Sequence, residues 1–223
     1  TMAARAAVKD VGRVLEVPEF SRGMPWVGLE LPQPDDAAAV LPDVDRAAQL
    51  AVTHLRGQGL SQFAFYRNLD PGKPEQQELE KAFMKQASPL LLFRNGRHVV
   101  EKWTLLDHLL DVRDWVVSLP KPVGIFCGDE EHAVRLLSVL DDLALSVAED
   151  VAVMAYGVDL AHETGLGLSG IDPDPEALGA EAVRVLAAML EGNPLPPFPV
   201  RVPPKGLRTG STTDRRFARH PMV

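Results

Sequence analysis

The chain has 223 residues and a mass of 24.3 kDa, with 46% apolar and 24% charged residues. That is the balance of an ordinary globular protein with enough apolar sequence for a core of its own. The single cysteine, Cys127, excludes an internal disulfide and points to a reducing, cytoplasmic setting. The formal charge of −8 is not the footprint of a nucleic-acid binder, and no apolar run is long enough to span a membrane.

In chain order, short apolar runs alternate with helical periods. Trp26–Leu31 reads as a strand closed by Pro32 and Pro34. Val44, Ala47, Ala48, Ala51, Val52 and Leu55 then fall on one helical face, with Asp43 or Asp45 as cap and Gly57 or Gly59 as stop. Gln62–Tyr66 is the next strand. A polar loop from Asp70 to Pro74 leads to a helix over 75–87, and Leu90–Phe93 forms a strand stopped by Asn95-Gly96. A helix over 102–118 ends before Pro120.

The sharpest unit follows. Pro122–Cys127 is a continuous apolar strand of the kind buried in parallel sheets, and Ala133, Leu136, Leu137, Leu140 and Leu143 face inward from the next helix. Val151–Tyr156 and Leu168–Ile171 are strands. Asp172-Pro173-Asp174-Pro175 opens a helix whose face is Leu178, Ala182, Val185, Leu186 and Met189. A proline-rich connector reaches a last strand, Val200–Val202. The alternation predicts an α/β fold of parallel sheets joined by right-handed crossovers.

Spacing offers no catalytic set. Gly165, Gly167 and Gly170 match G-x-G-x-x-G, but the pattern runs from a loop into a strand and no acid stands twenty residues on, so a loop is expected rather than a phosphate cradle. Asp129-Glu130-Glu131-His132 sits where a buried strand meets a helix start. This is where open α/β sheets bind ligands, although acids there also complement the helix dipole. No second ligand cluster supports a metal, no cofactor is implied, and no Ser sits in a nucleophile elbow. A non-enzyme is expected.

Several segments together resemble LacI/GalR-type effector-binding domains. Asp43–Leu55 is similar to the family's D-N-x-x-A-x-x-x-A-x-x-H-L helix, and Gly59–Tyr66 to the strand after it. Pro122–Ala133 resembles P-x-G-I-x-A-x-N-D-x-x-A, and Glu149–Met154 resembles P-E-D-V-A-V. Leu168–Asp174, the Gly179–Leu186 helix, Val202-Pro203-Pro204 and Ser211–Asp214 are similar to the xylose operon regulator subgroup.

The resemblance implies a periplasmic-binding-protein-like fold, two α/β lobes around a small-molecule cleft. Residues 1–58 and 171–192 would form a partial N-terminal lobe, abbreviated by two strand–helix units. Residues 60–168 and 196–212 would form a complete C-terminal lobe, and residues 213–223 a basic tail. It implies a cytoplasmic, homodimeric sensor of a sugar-like effector. DNA would be contacted only through a domain absent from this chain, as in transcription regulators. Asp129 and Glu130 would read the ligand, Asp159 or His162 would add polar contacts, and Trp26 or Tyr66 would supply an apolar wall. The family's sugar-reading Arg falls on Leu79, a second acid on Gly157 and its Asn on Val44. These departures keep two rivals in view: a ligand-free interaction protein of the same fold, and a small α/β enzyme using Asp129–His132. Charge is uneven too: residues 201–223 sum to +5 and the remainder to −13.

Overall fold

A computed structural model describes residues 27–29, 38–67, 74–87, 90–92, 105–158 and 167–215. The elements, in order, are β1 (Val27–Gly28), β2 (Ala38–Pro42), α1 (Val44–Gly57), β3 (Phe63–Tyr66), α2 (Pro74–Gln86), β4 (Leu90–Leu92), α3 (Leu105–Ser118), β5 (Val123–Cys127), α4 (Glu130–Asp142), β6 (Val151–Tyr156), β7 (Ser169–Asp172), α5 (Pro175–Leu190), β8 (Val200–Val202) and β9 (Gly206–Arg208). They form a six-stranded sheet, β4-β3-β5-β6-β7-β9, and a three-stranded sheet, β1-β2-β8. All pairs are parallel except β7 with β9.

The central strands of the larger sheet, β3, β5 and β6, are buried on both faces, as their uninterrupted apolar runs require. Alternation divides each strand between two cores. Phe63, Phe65, Phe126, Ala152 and Met154 pack with Leu55 and Ala51 of α1 and Leu79 and Phe83 of α2. Ala64, Tyr66, Ile125, Cys127, Val153 and Ala155 pack with Val112 and Val116 of α3 and Leu136 and Leu140 of α4. Phe65, Phe83 and Phe126 meet with ring centroids 5.2–5.7 Å apart. The smaller sheet has a thinner core, in which Ala38, Val40 and Val202 pack against Val185 of α5.

The sheets assign two segments differently from the sequence-based lobes. Residues 44–57, expected in the first lobe, cover the larger sheet, because the α1 stripe from Val44 to Leu55 shares its core with Phe63 and Phe126. Val200–Val202, expected in the second lobe, pairs with β2 in the smaller sheet. Two strands were not anticipated. The alanine-rich β2 lies directly before a helical stripe, and β9 is only three residues long. Of the predicted first strand, Val27–Gly28 is extended, and Trp26 and residues 30–31 lie outside the described residues.

A strap after β9 closes the larger sheet. β7 begins opposite Met154, which leaves the Val153 backbone open on that side. Thr212 takes both groups: its carbonyl accepts from Val153 N at 2.9 Å and its hydroxyl donates to Val153 O at 2.7 Å. Thr213, expected to start the basic tail, is fully buried, with its hydroxyl 2.7 Å from Ser169 Oγ and 2.7 Å from His54 Nε2. Gly167 and Gly170 have their explanation in this packing. A Cβ on Gly167 would strike Ser211, and one on Gly170 would strike Val158 and the Ala155 carbonyl. These are close-approach glycines, as a loop reading expects.

Leu55→Ala should cost about 2–5 kcal/mol by chemical denaturation, as a large-to-small change at a fully buried site, whereas Val183→Ala on an exposed face of α5 should stay within about 0.5 kcal/mol. Equal effects would contradict this core.

A second prediction concerns pH. Burial lowers the His54 pKa from 6.5, with Asp214 opposing the shift. Its contribution to stability is therefore present above about pH 6.5 and lost as pH falls through the lowered value, because the unfolded chain binds the proton first. The fall in urea midpoint between about pH 7.5 and about pH 5.5 should shrink in His54→Gln. An unchanged fall would contradict the assignment.

Candidate functional site

The carboxyl ends of β3, β5 and β6 are the place where this fold can display polar groups, since their interiors are buried on both faces. At the end of β5 the chain turns through Gly128 into α4, and Asp129 caps that helix, accepting from His132 N at 2.9 Å. The same Asp129 oxygen meets His132 Nδ1, and the other accepts from Gln76 Nε2 at 2.8 Å. Gln76 lies in the first turn of α2 and is 3% exposed. Its carbonyl oxygen, Oε1, is buried and has no hydrogen-bond partner among the described residues. A Cβ on Gly128 would stand 3.0 Å from it, a tight contact, so the glycine leaves room for the amide beside the β5–α4 turn. Beside it, Arg67 pairs with Glu80.

Glu130, in the first turn of α4, is half-buried and makes no hydrogen bond or ion pair with the described residues. Asp129 and Glu130 thus differ: one is fixed by three contacts and the other is uncommitted. Tyr66 is corrected from cleft wall to core. It is fully buried, edge-on to His132 with centroids 5.0 Å apart and close to Trp115, and burial pushes its phenol well up. Cys127 is likewise buried, and burial raises its thiol well above the ordinary range, as suits a core residue. Trp26, Asp159 and His162 lie outside the described residues.

Tyr156 ends β6 on the α1–α2 side. Burial, followed by the nearby Glu75 and Asp43 carboxylates, pushes its phenol up to about 12. Asp43 caps α1, accepting from Arg46 N at 2.9 Å. The positions that match the family's Arg and Asn, Leu79 and Val44, are both core residues. Gly157 is exposed with a positive φ of 78°. The sequence reading did not single out Gln76, which sits in a polar run, Glu75-Gln76-Gln77-Glu78; the signal that could have found it is its place three and seven residues before Leu79 and Phe83, on the buried face of α2. No group of three or more His, Cys, Asp and Glu that could hold a metal occurs among the described residues.

Three chain crossings join the two sheets at this edge: β2 to α1, β7 to α5, and β8 to β9. They are tied to one another. Asp43 N donates to Val202 O at 2.7 Å, and Lys205 N donates to Asp172 O at 3.0 Å. Asp174 adopts a left-handed φ of 56° to cap α5, and Asp172 Oδ1 accepts from its backbone N–H at 2.9 Å. Arg201 of β8 reaches Pro42 O at 3.1 Å and Glu78 of α2 at 3.5 Å, linking both units.

Residues 52–213 match the periplasmic binding protein-like domain family. A xylose operon regulatory protein of Haemophilus influenzae is 27% identical over 78% of this chain and 46% of its own length. Its counterpart in Escherichia coli is 26% identical over 78% of this chain and 45% of its own. The chain therefore spans about half the length of these curated relatives. The structure of a xylose-binding transcription activator is similar with a TM-score of 0.72 and 21% identity, covering 89% of this chain and 53% of the other. At that identity the likeness shows the fold.

The two acids at the α4 start should separate on mutation. Asp129→Ala removes a cap and strands Gln76 Nε2, and should cost about 2–4 kcal/mol in chemical denaturation. Glu130→Gln should cost less than about 1 kcal/mol. Equal costs would remove the distinction between a fixed and an uncommitted acid.

Proposed function

Because the chain belongs to the periplasmic binding protein-like domain family, we propose that it is the effector-sensing and dimerisation region of a bacterial transcription regulator, and that it binds a sugar-like molecule in a cleft between two lobes. One lobe is built on β1-β2-β8 with α5, the other on the six-stranded sheet with α1 to α4. The observation that carries the reading is the three tied crossings beside the carboxyl ends of β3, β5 and β6. Several backbone connections at one edge form a hinge, and ligand held between the lobes favours the closed state in proportion to its extra contacts there.

The relatives support the reading. One is named as xylose-binding, and a LacI-family regulator structure from Enterococcus faecium was solved with bound ribose. In this reading Glu130 and Gln76 contact the ligand, Asp129 orients Gln76, and Asp159 or His162 adds a polar contact. The region forms a homodimer in the cytoplasm, and DNA contact comes from a domain outside these residues. No chemical step is assigned to it. No helix among the described residues is long and apolar enough to cross a membrane.

Thermal shift tests this directly. A sugar or amino sugar present at about 100 times its Kd should stabilise the protein by about 2.7 kcal/mol, a rise on the order of 5–10 °C in melting temperature. If no member of a panel of pentoses, hexoses, their amino derivatives and polyols raises it at millimolar concentration, the ligand-free interaction reading replaces this one.

A further inference from the structure

Ser169 and Thr213 are both fully buried, so each hydroxyl proton must go to a neighbouring protein group. Ser169 Oγ accepts from Gly210 N at 2.9 Å and stands 3.1 Å from Gly210 O and 2.7 Å from Thr213 Oγ1. A carbonyl oxygen only accepts, and serine has one proton to give. If that proton went to Thr213, Ser169 Oγ and Gly210 O would face each other as two acceptors with no hydrogen between them. With the proton on the Gly210 side, the Thr213 hydroxyl donates to Ser169 Oγ. Thr213 Oγ1 then has only lone pairs to offer His54 Nε2, 2.7 Å away, so that nitrogen must carry hydrogen. The donors run one way, from His54 to Thr213 to Ser169 to Gly210 O.

We infer that His54 latches the strap to α1 as an Nε2–H donor in both of its charge states, the proton that titrates being the one on Nδ1. Imidazole keeps an Nε2–H in one neutral tautomer and in the imidazolium alike. Protonation then carries the cost of placing charge in a buried setting, without breaking the bond to Thr213.

The groups around the ring agree with such a latch. Burial opposes the imidazolium, and Asp214 of the strap favours it. On α1 itself Arg56 is engaged by Gln86 O and lies over the Phe63 ring. Arg215 of the strap reaches Gln58 O at 3.5 Å, Arg208 stands on β9, and β7 brings the neutral Ser169. The strap's remaining bonds do not titrate: Thr212 N donates to Gly167 O at 3.2 Å, and Thr212 Oγ1 accepts from Ser169 N at 2.9 Å and donates to Val153 O at 2.7 Å. The latch therefore holds Arg215, from which the basic stretch 216–223 continues, to the end of α1 throughout the titration of His54. His54 is a positioning residue in this role, whether or not a sugar binds.

Nitrogen-15 NMR of the full chain tests this without a ligand. Above its titration, the His54 ring should carry its hydrogen on Nε2; hydrogen on Nδ1 overturns the inference. Backbone order parameters of residues 211–214 should stay near the rigid value of about 0.85 both at about pH 7.5 and at about pH 5.5. A fall toward the flexible value of about 0.6 at the lower pH would mean that protonation opens the latch, and overturns it too. His54→Gln, whose amide N–H can stand in for Nε2–H, should keep the strap rigid, whereas His54→Leu should lower the order parameters of Thr213 and Asp214. Equal rigidity in the two variants overturns the latch. Should His54→Leu fail to fold, the tautomer and the pH series of the unsubstituted chain still decide.

Discussion

A parallel sheet buried on both faces is the constraint on which the rest depends. Every residue of β3 and β5, and the first five of β6, is hidden from solvent. Such strands can carry only apolar or small side chains, because a polar group inside them would lose its hydration without a partner. Chemistry is therefore displaced to the strand ends. At the carboxyl end of β5 this produces a tight sequence of events. Gly128 leaves room for the Gln76 amide, Gln76 donates to Asp129, and Asp129 starts α4. Removing one member disturbs the others, since each is the partner the next requires. Glu130, one residue further on, takes no part in it.

The same constraint explains the strap. A sheet that is covered on its faces still has ladder groups to satisfy where a neighbouring strand starts late. β7 reaches only as far as Met154, and Thr212 supplies the missing acceptor and donor to Val153. Ser169, Thr213 and His54 then link the strap to β7 and α1 through side-chain oxygens and one ring nitrogen. Beyond it, the three crossings bring the thin core of the smaller sheet to the same edge as Gln76, Asp129 and Glu130. Among the described residues the smaller sheet packs against one helix, α5, whereas the larger sheet packs against four.

Much of this was legible in the amino-acid pattern. The α1 stripe with Asp43 or Asp45 before it, the continuous strand Pro122–Cys127 and the helix start at Asp172–Pro175 follow from period and end chemistry, and the structure has α1, β5 and α5 where those signals stand, with Asp43, Asp129 and Asp174 as the caps. The elements that escaped were short or alanine-rich, β2 and β9, for which local preference is weak and pairing decides. Which sheet α1 covers was also hidden, because an amphipathic stripe states that a face is buried and not against what. The site was half legible. Asp129 and Glu130 stand out by their place at a strand end, but their division into a fixed acid and a free one depends on Gln76, fifty-three residues away in sequence. Tyr66 misled for a related reason: period 2 places it on a face, and only packing shows that α3 and α4 cover that face.

The central claim is that ligand closes the crossings over the carboxyl edge of the larger sheet. Hydrogen–deuterium exchange with and without a pentose or hexose that raises the melting temperature tests it most directly. The account predicts slower exchange in two places at once: the first turn of α4, with the neighbouring start of α2, and the crossing segments at residues 42–44, 172–174 and 203–206. Protection confined to the outer faces of α3 and α5, or none at any segment, would contradict it.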